Sequence, residues 1–356
     1  MTVPTSDLWP DVIGRLLRRQ DLPPALAEQA MATILSGEAT DAQIAGFAVA
    51  LRAKGETSDE LAALVRTMLR FGDKVDIPLD GPGGPVVDTC GTGGDRSGTV
   101  NISTLAALVV AGAGVRVAKH GNRAASSACG SADVLEALGV TIDLGPAGVA
   151  QCVEEAGIGF CFAPKFHPAL RFAGPARREL GTPTTFNFLG PLANPAGVRR
   201  RVVGVSDRSM AERMARTLAE LDVERAMVFC GGDGLDELTT TTVSDVWELD
   251  VGDVRTYTID PVDYGIRAAE PDELLGGAAQ ANVAIAQRML EGEPGAVRDI
   301  VALNAAAALV VAGSAEDLGA GLEQADTSID TGKAAAVLET FVRTSASAAA
   351  RAGGRD

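Results

Sequence analysis

A glycine-rich turn between residues 86 and 104 has the composition of a phosphate-binding site. The segment VVDTCGTGGDRSGTVNIST contains an apolar run, a cluster of glycines and the start of a predicted helix. Free backbone N–H groups in such a turn and at a helix N-terminus attract phosphate. The spacing fits neither common phosphate motif, because Arg96 stands where the dinucleotide-binding pattern needs glycine and Thr99 where a P-loop needs lysine. A tight turn that binds nothing is the alternative.

A second loop, at residues 119–133, is rich in hydrogen-bond donors. It follows the next β-rich run, and its donor side chains are Lys119, His120, Asn122, Arg123, Ser126, Ser127 and Ser131. If buried, so many donors need a charged acceptor. Ligands of open α/β sheets bind beyond the carboxyl ends of the strands, so the two loops together predict a polyphosphate or sugar-phosphate ligand. The alternative for Lys119 and Arg123 is a solvated surface charge.

A third loop, GGDGLDELT at residues 231–239, carries three acids, Asp233, Asp236 and Glu237. Mg²⁺ usually takes one or two carboxylates, several waters and substrate phosphates. Acids beside a phosphate pocket therefore predict a magnesium site. A turn stabilised by an Asp side chain, with solvated acids around it, is the alternative.

The sequence does not predict nucleophilic catalysis by the protein. His120 and His167 are the only histidines, and they lack the spacing of a zinc site, so hydrogen bonding or packing is their expected role. No G-x-S-x-G elbow is present, and no cysteine has a recognisable catalytic context.

The elements that must position these loops change character along the chain. Residues 1–72 predict helices only, including one that begins with a capping box at Thr40 and one that begins near Thr57 to Glu60. The Pro- and Gly-rich stretch 77–85 predicts a hinge. Beyond it, short β-rich runs alternate with helical stretches, and from residue 272 onward helices dominate. This order predicts an α/β fold class, a small all-helical domain hinged to a larger α/β domain with a mostly parallel central sheet flanked by helices.

Composition excludes several classes of protein. A chain of 356 residues with 46% hydrophobic residues can bury a large core. Its net charge of -16 repels phosphate backbones, so we expect no nucleic-acid partner. The longest apolar run is too short to span a membrane, and the N-terminus does not resemble a secretion signal. The five cysteines form no C-x-x-C pair, which favours reduced thiols and a cytoplasmic location.

Four segments in this order resemble anthranilate phosphoribosyltransferases. They are DTCGTGGDRSGTVNIST, KHGNRAASSACGSADVLEALG, FCFAPKFHPALRFAGPARRELGTPTTFNFLGPLANPAG and GGDGLDELTTTT. The resemblance covers about residues 7–345. Related pyrimidine nucleoside phosphorylases carry a KHSGR-type loop where this chain has KHGNR, so they are disfavoured. One departure is Cys230, where members of the family commonly have histidine. Because Asp236 and Glu237 are present, we expect metal binding to survive this change.

The resemblance implies a domain division and a set of site residues. The helical domain would comprise residues 1–76 joined by helices from about 165–192, with 77–85 as the hinge and 86–164 plus 193–356 as the α/β domain. Phosphoribosyl pyrophosphate would bind Gly91, Gly94, Asp95, Thr99, Asn101, Ile102, Ser103, Thr104, Lys119, His120, Gly121, Asn122, Arg123, Ala124, Ala125, Ser126, Ser127 and Ser131. Anthranilate would contact Gly91, Asn122 and Arg177, and Mg²⁺, two ions per site, would bind Ser103, Asp236 and Glu237. A homodimer formed through the helical domain is also implied.

The implied reaction is direct displacement at the ribose anomeric carbon by the anthranilate amine, with pyrophosphate as the leaving group. Lys119 and Arg177 are the candidate catalytic residues, acting by position and charge. Transfer to another aromatic amine or nucleobase, phosphorolysis of a nucleoside, and a non-enzymatic nucleic-acid-binding relative are the alternatives.

Overall fold

Four helices occupy the N-terminal part of the chain. The computed structural model describes residues 5–81, 84–124 and 128–353. Its first helices are α1 Thr5–Leu17, α2 Pro24–Leu35, α3 Asp41–Lys54 and α4 Ser58–Arg70. The predicted capping box at Thr40 is confirmed, and the predicted helix start at Thr57 has one too. Each threonine accepts from the backbone N–H three residues on, while that residue's side chain accepts in return.

A seven-stranded sheet forms the centre of the rest. Its strands are β1 Val86–Gly91, β2 Arg116–Gly121, β3 Ile158–Phe162, β4 Arg200–Gly204, β5 Arg225–Gly231, β6 Ser244–Asp250 and β7 Asp253–Ile259. The spatial order is β3-β2-β1-β4-β5-β6-β7. Strands β1 to β5 pair in parallel, and β6 and β7 are antiparallel. The predicted fold class, with a mostly parallel sheet, is confirmed.

The strand order reverses at β1. Strand β2 lies on one side of β1, and β4 lies on the other. Such a reversal opens a crevice beyond the carboxyl ends of the two diverging strands, which is where ligands bind in sheets of this kind. The glycine-rich turn begins at that end of β1.

Helices cover the sheet and connect it to the N-terminal part. They are α5 Ile102–Gly112, α6 Ser131–Ala137, α7 Pro146–Ala156, α8 Ala163–Phe166, α9 Gly174–Leu180, α10 Phe186–Leu189, α11 Arg208–Glu220, α12 Ala279–Leu290, α13 Ala296–Ala312, α14 Leu318–Asp330 and α15 Lys333–Gly353. Short 3₁₀ turns lie at 168–173, 190–192, 261–264 and 271–274. None of the helices in the described part of the chain is long and apolar enough to cross a membrane.

Two apolar clusters hold the molecule together. One surrounds α5 and α13 against β1, β2 and β3. The other joins α1–α4 to α11, to one face of β4–β6 and to the segment around Phe186 and Phe188. Helix α9 packs on α3, so residues from the middle of the chain contact the N-terminal helices. The exact domain boundaries stay a prediction.

Candidate active site

Three loops meet at the carboxyl edge of the sheet. We name them the glycine loop (92–101), the donor loop (122–130) and the acid loop (232–239). The backbone N–H of Gly93 donates to Asp236 Oδ2 at 2.7 Å, and that of Ser103 donates to Glu237 Oε1 at 3.1 Å. Asn101 Nδ2 donates to the Cys129 carbonyl at 3.0 Å. The structure thus brings together the three motifs that the sequence singled out.

The glycine loop is held from the β4 side by backbone and hydroxyl contacts. Thr92 N–H donates to the Gly204 carbonyl at 2.9 Å, and Ser206 Oγ donates to the Gly93 carbonyl at 2.8 Å. Gly93 and Gly94 have φ of 65° and 85°, which glycine adopts without strain. Gly94 is exposed, so its backbone can approach a ligand.

Arg96 also has a positive φ, of 58°, although it is not a glycine. Its neighbour Asp95 accepts from Ser97 Oγ at 2.6 Å, and Thr99 forms an isolated bridge with Leu275. The loop is therefore ordered by its own side chains and by the chain near residue 275.

Asn282 fixes the side chain of Asn101. Asn282 Nδ2 donates to Asn101 Oδ1 at 3.0 Å, while Asn282 Oδ1 accepts from Gly277 N–H at 2.7 Å. Asn282 lies on α12 and is almost fully buried. Sequence reasoning missed it, since its partner is distant in the chain. The sequence signal for Asn282 was a polar amide within a helix-forming stretch, close to Gly276 and Gly277.

Two neighbours of Asn101 are less available to a ligand than predicted. The Ile102 side chain lies in the core, and its N–H donates to the Val100 carbonyl. Thr104 is buried, with its hydroxyl making no hydrogen bond. Ser103, in contrast, presents its Oγ to Lys119 Nζ at 3.2 Å.

The acid loop carries carboxylates whose charge is destabilised by burial. Burial, followed by the charge of Asp95, raises the pKa of Asp236 to about 6. Burial, followed by the charge of Asp236, raises the pKa of Glu237 well above its usual value. A Cβ on Gly91 would lie 2.2 Å from Asp236 Oδ2, and one on Gly204 would lie 1.6 Å from the Asp236 carbonyl. Glycine is therefore required at both strand ends for the acid loop to approach.

Asp233 has a different role from the other two acids. It accepts from Leu235 N–H at 3.1 Å and from the hydroxyls of Thr239 and Thr241 at 2.8 and 2.6 Å. The alternative of an Asp-stabilised turn is right for this residue. It shapes the loop that presents Asp236 and Glu237.

These acids fit a magnesium site that is completed by a ligand. Within residues 5–81, 84–124 and 128–353, no three His, Cys, Asp or Glu side chains are arranged to hold a metal ion by themselves. Asp236 and Glu237 supply two carboxylates with raised pKa values. Ser103 donates its backbone N–H to Glu237, and its Oγ contacts the Lys119 ammonium. A magnesium ion that takes its other ligands from water and phosphate suits this set.

Lys119 is a buried cation, and not the solvated charge that the sequence left open. Its side chain is 1% exposed, and its ammonium donates to the Thr89 carbonyl as well as to Ser103. Burial lowers the pKa of Lys119, whereas Asp88, Glu237 and Asp236 act to raise it. The ammonium therefore lies between β1 and the start of α5, close enough to the acid loop for both of its acids to act on its pKa.

A buried polar network lies beneath Lys119. Asp88 accepts from His120 N–H at 3.0 Å and from Asn194 Nδ2 at 2.8 Å, and burial raises its pKa. Arg201 supplies the nearest positive charge and donates to two carbonyls. Sequence reasoning missed these residues. An acid inside the otherwise apolar start of β1 was the signal.

The His120 ring faces away from the loops. His120 Nδ1 lies 2.9 Å from the Gly190 carbonyl, and burial lowers the pKa of the ring to about 3. Its ring packs edge-on against that of His167, which contacts the Ala193 carbonyl. The prediction of a packing and hydrogen-bonding role holds for both. The prediction that His120 binds the donor substrate finds no support from its side chain.

The described residues of the donor loop, 122–124 and 128–130, contribute fewer free donors than expected. Arg123 is bound to Asp133 at 2.9 Å and to Glu136 at 2.5 Å, so its charge is neutralised. The Ala124 N–H donates to Asp133. Asn122 is exposed, Gly121 packs closely on Phe160, and Ser131 begins α6. The predicted residues Ala125, Ser126 and Ser127 lie outside the described part of the chain.

Arg177 on α9 is a partly buried guanidinium without a carboxylate. Its guanidinium carbon lies 5.9 Å from the Phe186 ring centroid, and burial lowers its pKa. Among the residues that the structure describes, it makes no ion pair or hydrogen bond. Such a group suits the carboxylate of a ligand whose ring could pack on an aromatic neighbour.

Known proteins share both parts of this structure. The family model described as "Glycosyl transferase family, a/b domain" matches residues 83–335, and "Glycosyl transferase family, helical bundle domain" matches residues 10–72. Anthranilate phosphoribosyltransferase from a Nocardioides species is 54% identical over 343 residues, which is 95% of this chain and 99% of that protein. The enzyme of that name from an Arthrobacter species is 55% identical over 95% of this chain and 96% of its own.

Solved structures agree. Anthranilate phosphoribosyltransferase from Thermus thermophilus superposes with a TM-score of 0.88 at 41% identity, covering 94% of this chain and 99% of that one. The Saccharomyces cerevisiae enzyme, in complex with PRPP and Mg, gives a TM-score of 0.87 at 26% identity, covering 97% and 99%. Sequence, fold and site geometry lead to one assignment: the chain belongs to the anthranilate phosphoribosyltransferase family.

Proposed function

We propose that this chain transfers the phosphoribosyl group of 5-phosphoribosyl 1-pyrophosphate to the amine of anthranilate. The products are N-(5-phosphoribosyl)anthranilate and pyrophosphate, in a step of tryptophan biosynthesis. The observation that carries the proposal is the contact of Asp236 and Glu237 with the backbone N–H groups of Gly93 and Ser103. That contact sets two acids suited to Mg²⁺ against a glycine-rich turn of the kind that suits a phosphate.

The proposed roles of the site residues follow from their charges. Lys119, which contacts Ser103, and the exposed backbone of Gly94 would stabilise the charge that develops on the pyrophosphate as it departs. Two Mg²⁺ ions held by Asp236, Glu237 and Ser103 would supply further positive charge to the leaving group. Arg177 would pair with the anthranilate carboxylate and orient the ring. Attack by the neutral arylamine leaves its nitrogen positively charged and acidic. That proton can pass to the departing pyrophosphate or to water, so a titratable protein base is not required.

A direct displacement is the mechanism we propose. The amine approaches the anomeric carbon from the face opposite the pyrophosphate, and the transition state resembles an oxocarbenium ion. Holding both substrates in line converts the reaction to an effectively unimolecular one. The His120 ring does not serve as a base here, because it contacts the Gly190 carbonyl and its pKa is lowered to about 3.

Loss of anthranilate fluorescence tests the activity. The purified protein is mixed with phosphoribosyl pyrophosphate and Mg²⁺, with a metal-free control, and released pyrophosphate is measured in parallel. Metal-dependent loss with equal pyrophosphate release is expected. Parallel reactions with uracil or thymine in place of anthranilate test nucleobase transfer, and reactions with a pyrimidine nucleoside and free phosphate test phosphorolysis. Turnover of those substrates but not of anthranilate would refute the acceptor assignment.

We further propose a hinge at 77–85 between a helical part, residues 1–76 with 165–192, and the α/β part. The described stretch 71–81 contains neither helix nor strand, which supports this division. Closure about the hinge would exclude water from the donor substrate. Small-angle scattering with and without both substrates would detect the change in shape.

A homodimer through the helical part is also proposed. Helices α1 and α3 pack side by side, and Leu17 and Val49 on them are 73% and 45% exposed. Apolar side chains exposed on adjacent helices favour association with a second copy. Light scattering after size-exclusion chromatography would give the mass in solution.

A cytoplasmic location is the last part of the proposal. All five cysteines are buried thiols, and none forms a disulfide among the described residues, which suits a reducing compartment. Fractionation of cells that express the native protein would test it.

A further inference from the structure

Helix α13 contains one polar side chain inside an apolar run. Residues 300–312 read IVALNAAAALVVA, and every one of them is buried. Asn304 is the polar residue of this apolar run, and it is 3% exposed. Asparagine is a poorer helix former than alanine, and a buried amide without partners is costly. Its presence at this position calls for a compensating role.

Both ends of the Asn304 amide bind the backbone of a single residue of the acid loop. Leu238 N–H donates to Asn304 Oδ1 at 2.9 Å, and Asn304 Nδ2 donates to the Leu238 carbonyl at 2.9 Å. Nδ2 also donates to the Ile300 carbonyl at 2.9 Å, within its own helix. The amide therefore holds one peptide segment in place and is itself oriented by the helix.

Leu238 directly follows Glu237, so the fixed segment adjoins the acid pair. Asp233 orders the other end of the loop through Leu235 N–H. Asn304 and Glu237 also border the same cavity, of about 10 Å³, together with Ser103. When both are ionised, Asp236 and Glu237 repel each other, which favours movement of the loop away from this arrangement. A clamp on the adjoining backbone opposes that movement.

We propose that Asn304 is a positioning residue that sets the metal affinity of the site, by clamping Leu238 so that Asp236 and Glu237 remain side by side. The proposal rests on the function proposed above. Residues that orient metal ligands without touching the metal commonly change metal affinity when replaced, by about 10-fold to 100-fold. Asn304 contacts neither substrate in this scheme.

Asn304→Leu tests the clamp, since leucine has a similar size and favours helix. Asn304→Ala is the second variant, in case leucine does not pack. Ser345→Ala is the matched control. Ser345 is fully buried on α15 and accepts from Thr141 N–H at 3.0 Å, so it also fixes a loop backbone, but away from the acids. Both kinds of variant lose a buried side-chain contact to a neighbouring backbone.

Two measurements are made on each folded variant. The first is the Mg²⁺ concentration that gives half-maximal turnover at saturating substrates, with KM for anthranilate measured at saturating Mg²⁺. The second is independent of turnover: binding of Mn²⁺ in the presence of inorganic pyrophosphate, followed by electron paramagnetic resonance of the free ion.

An increase of about tenfold in half-saturating Mg²⁺, with a parallel weakening of Mn²⁺ binding, is expected for Asn304→Leu or Asn304→Ala. KM for anthranilate should stay unchanged, and Ser345→Ala should bind metal like the parent. A change of less than about threefold, or an equal change in Ser345→Ala, overturns the proposal. Absence of metal-dependent turnover in the parent protein would instead overturn the proposed function, while the Mn²⁺ measurement still judges the clamp.

Discussion

Replacing Asp236 by asparagine should stabilise the metal-free protein while removing its activity. The pKa of this carboxyl is raised from 3.8 to about 6, first by burial and then by Asp95. Asparagine keeps an oxygen that can accept from Gly93 N–H, a bond of 2.7 Å in the parent. The substitution therefore removes an unfavourable charge without removing the contact that holds the glycine loop.

The size of the effect follows from the pKa shift. A difference of about two pKa units corresponds to roughly 3 kcal/mol, at 1.36 kcal/mol per unit. Asp236 is only partly buried, so solvent screening reduces the expected gain to about 1–2 kcal/mol. At about 2.1 cal/mol/K of unfolding entropy per residue, a chain of 356 residues shifts by roughly 1.3 °C per kcal/mol, which gives a rise in melting temperature of about 1–3 °C.

The dependence on pH has a definite sign. Because the folded state binds this proton more tightly than the unfolded state, the parent loses stability as pH rises from 3.8 to about 6. The advantage of Asp236→Asn should therefore be complete at pH 7.5 and vanish below pH 4. Asp245→Asn is the control of opposite sign, since hydrogen bonds from Arg208 lower the pKa of Asp245. That variant should be destabilised above pH 4.

Thermal denaturation in EDTA, followed by circular dichroism between pH 4 and 8, is the assay. Turnover with Mg²⁺ should fall by about 100-fold or more, because the acid also serves the metal. If Asp236→Asn melts at or below the parent temperature at pH 7.5, burial does not destabilise this charge and the reasoning fails.

Three other substitutions have distinct expected outcomes. Arg177→Gln should raise KM for anthranilate by about 10-fold to 100-fold, as measured by steady-state kinetics. The melting temperature should not change, since the guanidinium has no protein ion pair within the described residues. Arg178→Gln, on the exposed side of α9, is the control and should change neither KM nor melting temperature. Lys119→Met should abolish turnover and lower the free energy of unfolding by about 3 kcal/mol, because buried acids lose their cation, and urea denaturation would refute this if stability were unchanged. Gly204→Ala would place a Cβ 1.6 Å from a carbonyl of the acid loop, so activity in the fluorescence assay should fall by more than about 100-fold. Gly145→Ala, with open space around the added Cβ, is the control and should behave like the parent.

Local signals were sufficient to predict much of this fold. The capping box at Thr40 and the helix start near Thr57 to Glu60 gave the beginnings of α3 and α4, because the hydrogen bonds that cap each helix join residues only three apart. The alternation of short β-rich runs with helices gave the parallel strands. The three site loops were found for the same reason, since each follows directly from a strand.

The β6–β7 hairpin was missed. Its turn has positive φ at both Val251 (45°) and Gly252 (93°), and a β-branched residue is unusual in that conformation. A Val-Gly pair is therefore a weak signal for a hairpin turn, whereas Asn-Gly at these positions would have predicted one. The edge strand β7 is mostly exposed and carries few apolar residues, so its pattern resembled a loop.

Contacts between distant residues were beyond local reasoning. Asn282 meets Asn101 across 181 residues, and Asn304 meets Leu238 across 66. The burial of Lys119 depends on neighbours from several strands and loops, so sequence could name the residue but not its environment. Family resemblance supplied the chemical roles, while the structure supplied these supporting contacts.

Asn282 and Asn304, which hold the site loops in place, lie late in the chain, so they are made late during synthesis. A ribosome releases the glycine loop long before Asn282 and Asn304 are made, although both hold loops formed by earlier residues. Until α13 emerges, the two acids next to Leu238 have no clamp and the nascent β strands lack an apolar cover. A growing chain therefore passes through a long interval without a working site.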